Sequence, residues 1–343
     1  MALKLISSGL NSVIGLIRSI PPLYRAAKRV RDWVCKSYLE EISQIREHYS
    51  QLLQKVEMLQ RNSIYLEFAP PGHYYSPLPN LDDLRENQDR IFSQAYRDLP
   101  GVDLDPESMV KLLEQFKVIY PEYVFWKRDS VFRFDPYSGT FSLGDAIVFF
   151  CMILHKKPKR IVEVGAGMST CLMLDINRYF FNDAMRITSI EPYPDRLMAM
   201  IHPEDSSRFH LIPQRLEDID LDIFSALEAN DIVFFDSTHV SKCNSDVNHI
   251  FFDLLPLLKP GVVIHFHDVF YPFEYPMRWL LEVGAAWNEN YLLRAFLQYN
   301  KSFKVLFFGN YLNLFHRDRI EQIMPRYLEW PSFSIWLQRV CGE

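Results

Sequence analysis

The sequence predicts an α/β fold, with a mostly parallel sheet of seven strands preceded by an α-helical N-terminal extension. Three observations support this prediction. From residue 159 onward short apolar segments alternate with helical ones, and a glycine-containing turn directly follows the first of them. Residues 1–60 instead repeat apolar side chains every three or four positions, as helices do. Strand–helix alternation places successive strands parallel and covers both faces of the sheet with helices.

The composition indicates a folded enzyme or binding protein. The chain has 343 residues, of which 48% are hydrophobic, so a large core can be buried. Its formal net charge of −6 argues against a nucleic-acid partner. The five cysteines are scattered without paired spacing, which is typical of a reducing compartment. No run of about 18 apolar residues predicts a membrane span, and we therefore expect a cytoplasmic protein.

The first 31 residues combine an apolar stripe with positive charge. Apolar side chains from Leu3 to Ile20 recur at helical spacing, and Pro21-Pro22 is expected to end this helix. Residues 1–31 carry basic residues and no acidic ones. A basic amphipathic helix can lie on an anionic membrane surface, so the sequence predicts peripheral membrane contact through this segment.

A heptad pattern follows. Apolar residues alternate spacings of three and four at Cys35, Tyr38, Ile42, Ile45, Tyr49, Leu52, Val56 and Leu59. This pattern fits a coiled coil between copies of the chain, which predicts a homo-oligomer. It fits equally a long helix that packs on its own globular domain.

These segments predict three regions. Residues 1–62 form the helical extension, for oligomerisation or membrane contact. Residues 63–144 form a linker and cap, because prolines and a glycine over 70–79 forbid regular structure and helices are expected over 83–97 and 106–118. This cap is expected to act as a lid over substrate or cofactor, with Tyr74 and Tyr75 as candidates. Residues 145–343 form the catalytic region, which begins with an apolar helix over 145–155.

The strands of the catalytic region are expected where short apolar runs occur between helical segments. Five of them cover residues 160–164, 186–191, 209–213, 231–236 and 261–267. Two closing strands are expected over 303–308 and 332–338.

The first strand leads into a turn that can hold a nucleoside. Gly165 and Gly167 let the backbone turn tightly and approach a ligand, and Ser169 or Thr170 can offer a hydroxyl at the start of the next helix. Glu191 ends the second strand, where an acid can accept both ribose hydroxyls. Thr170 stands where a dehydrogenase usually has its third glycine, which favours an adenosine ligand without a diphosphate. The alternative is a glycine turn and a surface acid without a ligand.

The segment Glu163-Val164-Gly165-Ala166-Gly167 resembles the first motif of the class I S-adenosylmethionine-dependent methyltransferases, and the resemblance extends over residues 145–343. It implies a Rossmann-like domain that binds S-adenosylmethionine, with Glu191 on the ribose and the glycine turn facing the methionine portion. The loop over 214–218 is implied to lie near the adenine. The predicted cofactor-binding residues are Glu163, Gly165, Gly167, Ser169, Thr170, Glu191, Glu217 and Asp236.

Acids and histidines follow the fourth and fifth strands. Asp236 and His239 come after one, and His267-Asp268 after the other, so their side chains should meet at the edge where open α/β sheets bind ligands. Methylating a hydroxyl at neutral pH requires a general base, a metal or both. His239 suits the base, and Asp236 and Asp268 suit a hard divalent ion. His265, deeper in the strand, is expected to be a packing residue.

The spacing Asp-x-x-His resembles that of metal-dependent O-methyltransferases acting on macrolide sugars. The resemblance implies that Asp236, His267 and Asp268 bind the metal and that His239 is the base. His267 stands where that family has a carboxylate, and its softer nitrogen donor favours Mn²⁺, Fe²⁺ or Zn²⁺ over Mg²⁺; the alternative is that no metal is bound. The overall pattern, which includes Pro71-Gly72-His73-Tyr74-Tyr75-Ser76-Pro77 and Trp287-Asn288-Glu289, is also similar to that of bacterial methyltransferases often associated with surface-polysaccharide or secondary-metabolite pathways.

An aromatic segment over 270–276 directly follows the fifth strand. Tyr271, Glu274 and Tyr275 are its candidate substrate residues, and the alternative is a loop that packs on the sheet edge. The predicted function is therefore O-methylation of a small-molecule or glycan hydroxyl. The alternatives are an N- or C-methyltransferase without metal and a membrane-associated assembly protein with a vestigial cofactor domain.

Overall fold

The computed structural model describes Ile14 and residues 21–93, 96–126 and 131–341. The chain forms two compact units, Met1–Leu81 and Asp82–Glu343. Over the described ranges, no helix is long and apolar enough to span a bilayer.

Among its described residues, the first unit contains the long helix α1 (Pro21–Arg61), which is followed by α2 (Ser63–Phe68). Within its described residues, the basic run and the heptad stripe lie on one continuous helical element of 41 residues. The helix predicted over residues 1–20 lies outside the described residues, apart from Ile14. Residues 69–80 form turns and bends, as their prolines predict.

The second unit contains a seven-stranded sheet of order β3-β2-β1-β4-β5-β7-β6. Strands β1 to β5 pair in parallel, and β7 runs antiparallel between β5 and β6. This confirms the predicted mostly parallel sheet. The strands are β1 (Arg160–Val164), β2 (Arg186–Ile190), β3 (Phe209–Ile212), β4 (Ile232–Phe235), β5 (Val263–Phe266), β6 (Phe303–Phe308) and β7 (Ile335–Arg339).

Helices cover the sheet and connect its strands. Their bounds in chain order are α3 (Leu81–Glu86), α4 (Gln88–Ile91), α5 (Pro106–Phe116), α6 (Leu143–Lys156), α7 (Met168–Phe181), α8 (Asp195–Met198), α9 (Asp222–Ser225), α10 (Asp246–His249), α11 (Glu289–Leu297), α12 (Gly309–Phe315) and α13 (Arg317–Ile323). The helices predicted over 106–118 and 145–155 correspond to α5 and α6.

The single helix predicted over 83–97 is wrong. The chain forms α3 and α4 with a break at Asn87, whose amide donates to the carbonyl and the carboxylate of Asp83. Such side-chain bonds compete with helical ones. After Ile91 the guanidinium of Arg97 donates to the carbonyls of Arg90, Ile91 and Ser93, which satisfies acceptors that a longer helix would have used.

Residues predicted to form a separate cap pack into the core of the sheet. Phe116, Phe125 and Phe134 are fully or almost fully buried there. The guanidinium of Arg133 forms ion pairs with Asp175 at 2.8 Å and Asp205 at 2.6 Å. In the structure residues 82–144 therefore belong to the same compact unit as the sheet.

Candidate active site

The turn after β1 requires glycine at its first position. Gly165 has a φ of 84°, and a Cβ there would lie 1.8 Å from the carbonyl oxygen of Asp236. The end of β1 thus contacts the end of β4 without space for a side chain. At Gly167, by contrast, a Cβ would meet no atom within 4 Å, because this residue borders open space. The two glycines therefore have different roles. Gly165 allows β1 and β4 to pack closely, and Gly167 leaves space open beside the turn.

Two cavities adjoin this turn. The larger, of about 470 Å³, is lined by residues that include Glu191, Tyr193, Glu217, Thr238 and Asp246. The smaller, of about 140 Å³, is lined by Thr140, Phe141, Ser169 and Arg196 among others. Both cavities share Gly165, Glu191 and Asp236. Their arrangement leaves space for a ligand with two parts that meet at Asp236.

Glu191 lies at the junction of these cavities. Its carboxylate accepts hydrogen bonds from the backbone N–H of Ala166 at 3.2 Å and of Tyr193 at 2.8 Å. Two backbone donors fix the orientation of the carboxylate and leave other lone pairs for a ligand. Glu217, also predicted to contact cofactor, lines the larger cavity and pairs with Arg215 at 2.7 Å.

Glu163 and Thr170 line neither cavity. The carboxylate of Glu163 is completely buried and accepts hydrogen bonds from the hydroxyls of Ser169, Thr170 and Ser189 at 2.5–2.6 Å. Burial raises the pKa of Glu163 to about 7, despite these donors. Thr170 also accepts from the N–H of Gly167. Glu163 and Thr170 thus belong to an internal network that supports the turn, and their contact with cofactor stays a prediction. Ser169 does line the smaller cavity, but its hydroxyl is bound to Glu163.

His239 lies among three carboxylates. Its Nε2 is 3.4 Å from Oδ1 of Asp236 and 3.7 Å from Oδ2 of Asp268, and its Nδ1 is 2.8 Å from Oε2 of Glu289. Burial acts to lower the pKa of His239, but the hydrogen bonds to Asp236 and Glu289 outweigh it and raise the pKa well above its usual value. The imidazole is therefore strongly held, and its Nε2 faces the two strand-end acids.

Asp236, His267 and Asp268 form a donor set suited to a metal ion. One ligand atom from each lies within 4.8 Å of the others. Nδ1 of His267 is 3.3 Å from Nε2 of His265, while its Nε2 lies 3.8 Å from Asp268 and 4.0 Å from Asp145. Two carboxylates and one imidazole fit Mn²⁺ or Fe²⁺ by ligand type. The contact with His265 thus orients the His267 ring so that its Nε2 faces Asp268 and Asp145.

Negative charge exceeds positive charge in this cluster. Burial raises the pKa of Asp268 to about 6. Burial also acts to raise the pKa of Asp236, but nearby His267 and His239 lower it overall. The pKa of His267 is raised because Asp236, Asp145 and Asp268 outweigh its burial. A cation bound at the acids would offset this excess of carboxylates, so the electrostatics fit the donor set.

Known proteins are similar to this chain in the region that contains β1 to β5. A family model described as a methyltransferase domain matches residues 162–269, from β1 to just beyond Asp268. The chain is 36% identical over 168 residues to an uncharacterized protein of Archaeoglobus fulgidus, which covers 47% of this chain and 74% of that protein. The chain therefore contains a methyltransferase domain over residues 162–269.

Two solved structures are among those to which the chain is similar. A putative O-methyltransferase from Klebsiella pneumoniae has 12% identity and a TM-score of 0.36, over 75% of this chain and 97% of that one. A CmcI structure described as Mg-SAM has 17% identity and a TM-score of 0.35, over 58% of this chain and 72% of that one.

Sequence reasoning gave no role to two acids of this methyltransferase, Glu289 and Asp145. Glu289 begins α11, and its N–H donates to the carbonyl of His239. Asp145 lies in the first turn of α6, where it accepts from the hydroxyls of Ser142 and Ser332. The signal that could have found Asp145 is an acid in a segment of otherwise apolar residues.

The aromatic segment of the methyltransferase lines a separate cavity of about 430 Å³. Tyr271 and Tyr275 are buried. The hydroxyl of Tyr271 binds the backbone of Arg97, that of Tyr275 accepts from the N–H of Asn290, and Glu274 accepts from Tyr291. The polar atoms of the three predicted substrate residues thus have partners inside the protein, and the residues form walls of the cavity.

Proposed function

We propose that this methyltransferase transfers a methyl group to a hydroxyl of a sugar, glycan or secondary metabolite, with His239 as general base and a divalent ion on Asp236, His267 and Asp268. The observation that supports this most strongly is the position of Asp236. Its side chain is 3.4 Å from His239 and also lines both cavities at the glycine turn. A base and a methyl donor would therefore meet at one residue.

The glycine turn and Glu191 fit S-adenosylmethionine. Open space at Gly167 accommodates a ligand that a side chain would displace, and Glu191 offers an oriented carboxylate for ribose hydroxyls. When bound, S-adenosylmethionine supplies an electrophilic methyl on its sulfonium. The side chains of Glu217 and Asp246, which line the larger cavity, would lie along the nucleoside.

His239 would remove the acceptor's proton. Nε2 of His239 would accept the hydroxyl proton while the acceptor oxygen takes the methyl group, and S-adenosylhomocysteine would be the leaving group. Glu289 would hold the proton on Nδ1, which fixes the tautomer with Nε2 free. Positioning of both substrates by rigid strand ends would supply much of the remaining acceleration.

The three metal-site residues would promote deprotonation of the acceptor hydroxyl through the positive charge of the ion that they hold. A divalent ion held by Asp236, His267 and Asp268 would favour the deprotonated form of a nearby hydroxyl. These carboxylates otherwise favour the charged form of His239, so occupation of their lone pairs by a cation favours the neutral imidazole that a base requires. The cation and the base would thus act together.

A second function deserves a test because one observation favours it. Without a cation, the carboxylates of Asp236, Glu289 and Asp268 hold the pKa of His239 well above its usual value. A charged imidazole donates hydrogen bonds and orients a substrate, which suits an N- or C-methyltransferase without metal. The third alternative, a membrane-associated assembly protein with a vestigial cofactor domain, has less support because the cavities at Gly165 and Glu191 are intact.

The deciding experiment uses isotope-labelled S-adenosylmethionine with panels of hydroxyl and amine acceptors, including sugars and glycans. We expect a methyl ether in the product by mass spectrometry, and the His239→Ala variant to be slower by about 10²–10⁴-fold. The His202→Ala variant, altered at an exposed position, is the matched control and should keep full turnover. Methylated amines, or an unchanged rate in His239→Ala, would contradict the proposal.

A further inference from the structure

Helix α1 exposes a continuous apolar stripe within the described part of the chain. Along it Ile45 is 62% exposed and Leu52 45% exposed, and Tyr49, Val56 and Leu59 are exposed as well. Long helices in water are stabilised mainly by burying an apolar face rather than by helix propensity. A 41-residue helix with this stripe therefore calls for a partner.

The spacing of the stripe indicates what the partner is. We define the seam as Cys35, Tyr38, Ile42, Ile45, Tyr49, Leu52, Val56 and Leu59, which occupy alternating a and d positions of heptads. Strict alternation of three and four keeps a seam facing another helix of the same periodicity. We propose that this seam binds the seam of a second copy of the chain, in a parallel and in-register coiled coil.

Charge beside the seam favours the parallel orientation. Glu41 occupies a g position and Arg46 the following e position, and both side chains are exposed. In a parallel, in-register pair, Glu41 of each helix faces Arg46 of the partner subunit, which gives two attractive contacts by symmetry. An antiparallel pair brings g positions against g positions and e positions against e positions, so this complementarity is lost.

The oligomeric state of the full chain tests the association. We expect light scattering coupled to size exclusion to give at least twice the chain mass for the wild type and the single-chain mass for the Ile45→Asp, Leu52→Asp double variant. Affinity for S-adenosylmethionine should be unchanged, which shows that the catalytic unit stays folded. Gln54→Asp, at the outward f position of the same helix, is the control and should associate like the wild type. A monomeric wild type overturns the proposal, including one that co-sediments with phosphatidylglycerol vesicles, since the seam would then bind lipid.

Site-directed cross-linking tests orientation and register. In a background with Cys35, Cys243 and Cys341 changed to serine, a Leu52→Cys substitution places thiols of the two copies side by side at a d position. Mild oxidation should then give a disulfide-linked dimer on non-reducing gels, whereas Gln54→Cys should give little. Equal cross-linking of both variants, or none for Leu52→Cys in a sample that is dimeric by light scattering, overturns the parallel in-register arrangement.

Discussion

Nδ1 of His239 lies 2.8 Å from Oε2 of Glu289, and the backbone N–H of Glu289 donates to the carbonyl of His239. The two residues are 50 positions apart in the sequence. This double contact fixes both the ring and the main chain of His239, while the ring of Trp287 packs against the imidazole at 4.6 Å. The orientation of the proposed base therefore depends on the start of α11.

Substitution of Glu289 should affect turnover more than binding. Because Glu289→Gln removes the charge that holds the Nδ1 proton, we expect kcat to fall by about 10–100-fold, with KM for S-adenosylmethionine nearly constant. Steady-state kinetics measure both quantities. Glu282→Gln, at an exposed residue just before α11, should behave like the wild type. A Glu289→Gln variant that loses cofactor binding would indicate a purely structural role.

Removal of a metal ligand should weaken cation binding and activity together. Asp268→Asn replaces a carboxylate whose oxygen lies among the donor atoms of the metal site. We expect at least a tenfold loss of Mn²⁺ affinity by isothermal titration, together with loss of activity. Asp253→Asn, at an exposed residue paired with His249, should change neither. Full turnover of wild-type enzyme after EDTA treatment would refute the metal assignment, although His239 could still act as base.

The fold and the strand-end residues could be predicted because they depend on local patterns. Alternation of apolar and helical segments gave every strand of the sheet, and parallel strands necessarily bring Asp236 and Asp268 to one edge. The orientation of the Glu163 side chain and its hydrogen-bond partners could not be deduced from local patterns. Glu163 lies inside β1, where three hydroxyls from α7 and β2 surround it.

Contacts between distant segments account for what the sequence did not reveal. Glu289 and Asp145 reach the cluster only because α11 and α6 pack where they do, and no local spacing links them to His239 or His267. Likewise, the predicted helix over 83–97 ended early because the side chains of Asn87 and Arg97 bind backbone carbonyls.

The two glycines of the turn should respond differently to alanine. In Gly165→Ala the Cβ clashes with the backbone of Asp236 and the positive φ is strained, so thermal stability and cofactor binding should both fall. In Gly167→Ala the new methyl enters open space, so we expect near-normal stability but weaker binding of S-adenosylmethionine. Calorimetric melting and titration of both variants measure this. Equal melting temperatures would refute the packing role of Gly165.

Glu163 should make stability depend on pH. Its pKa is about 7 in the folded protein because of burial, whereas an unfolded glutamate titrates near 4.3. The folded state therefore holds the extra proton between these values. The contribution of Glu163 to stability is fully present below about pH 4.3 and is lost as pH rises through about 7. This loss is about 3–4 kcal/mol.

Denaturant unfolding at pH 5.5 and 8.5, without cofactor, measures this effect. Glu163→Gln carries no titrating group and should flatten the difference between the two pH values. Glu321→Gln, at an exposed position of α13, should keep it. The assignment fails if wild-type stability does not fall between these two pH values.

The most direct test of the account is the affinity of S-adenosylmethionine for the wild type and for Glu191→Ala, measured by isothermal titration. The carboxylate of Glu191 is oriented by two backbone donors at the junction of both cavities. Each charge-assisted ribose hydrogen bond contributes about 1.5–3 kcal/mol, so we predict at least a tenfold weaker binding in the variant. The Glu204→Ala variant, changed at an exposed acid, should bind as the wild type does. Equal affinity in Glu191→Ala and the wild type would contradict the proposed cofactor site.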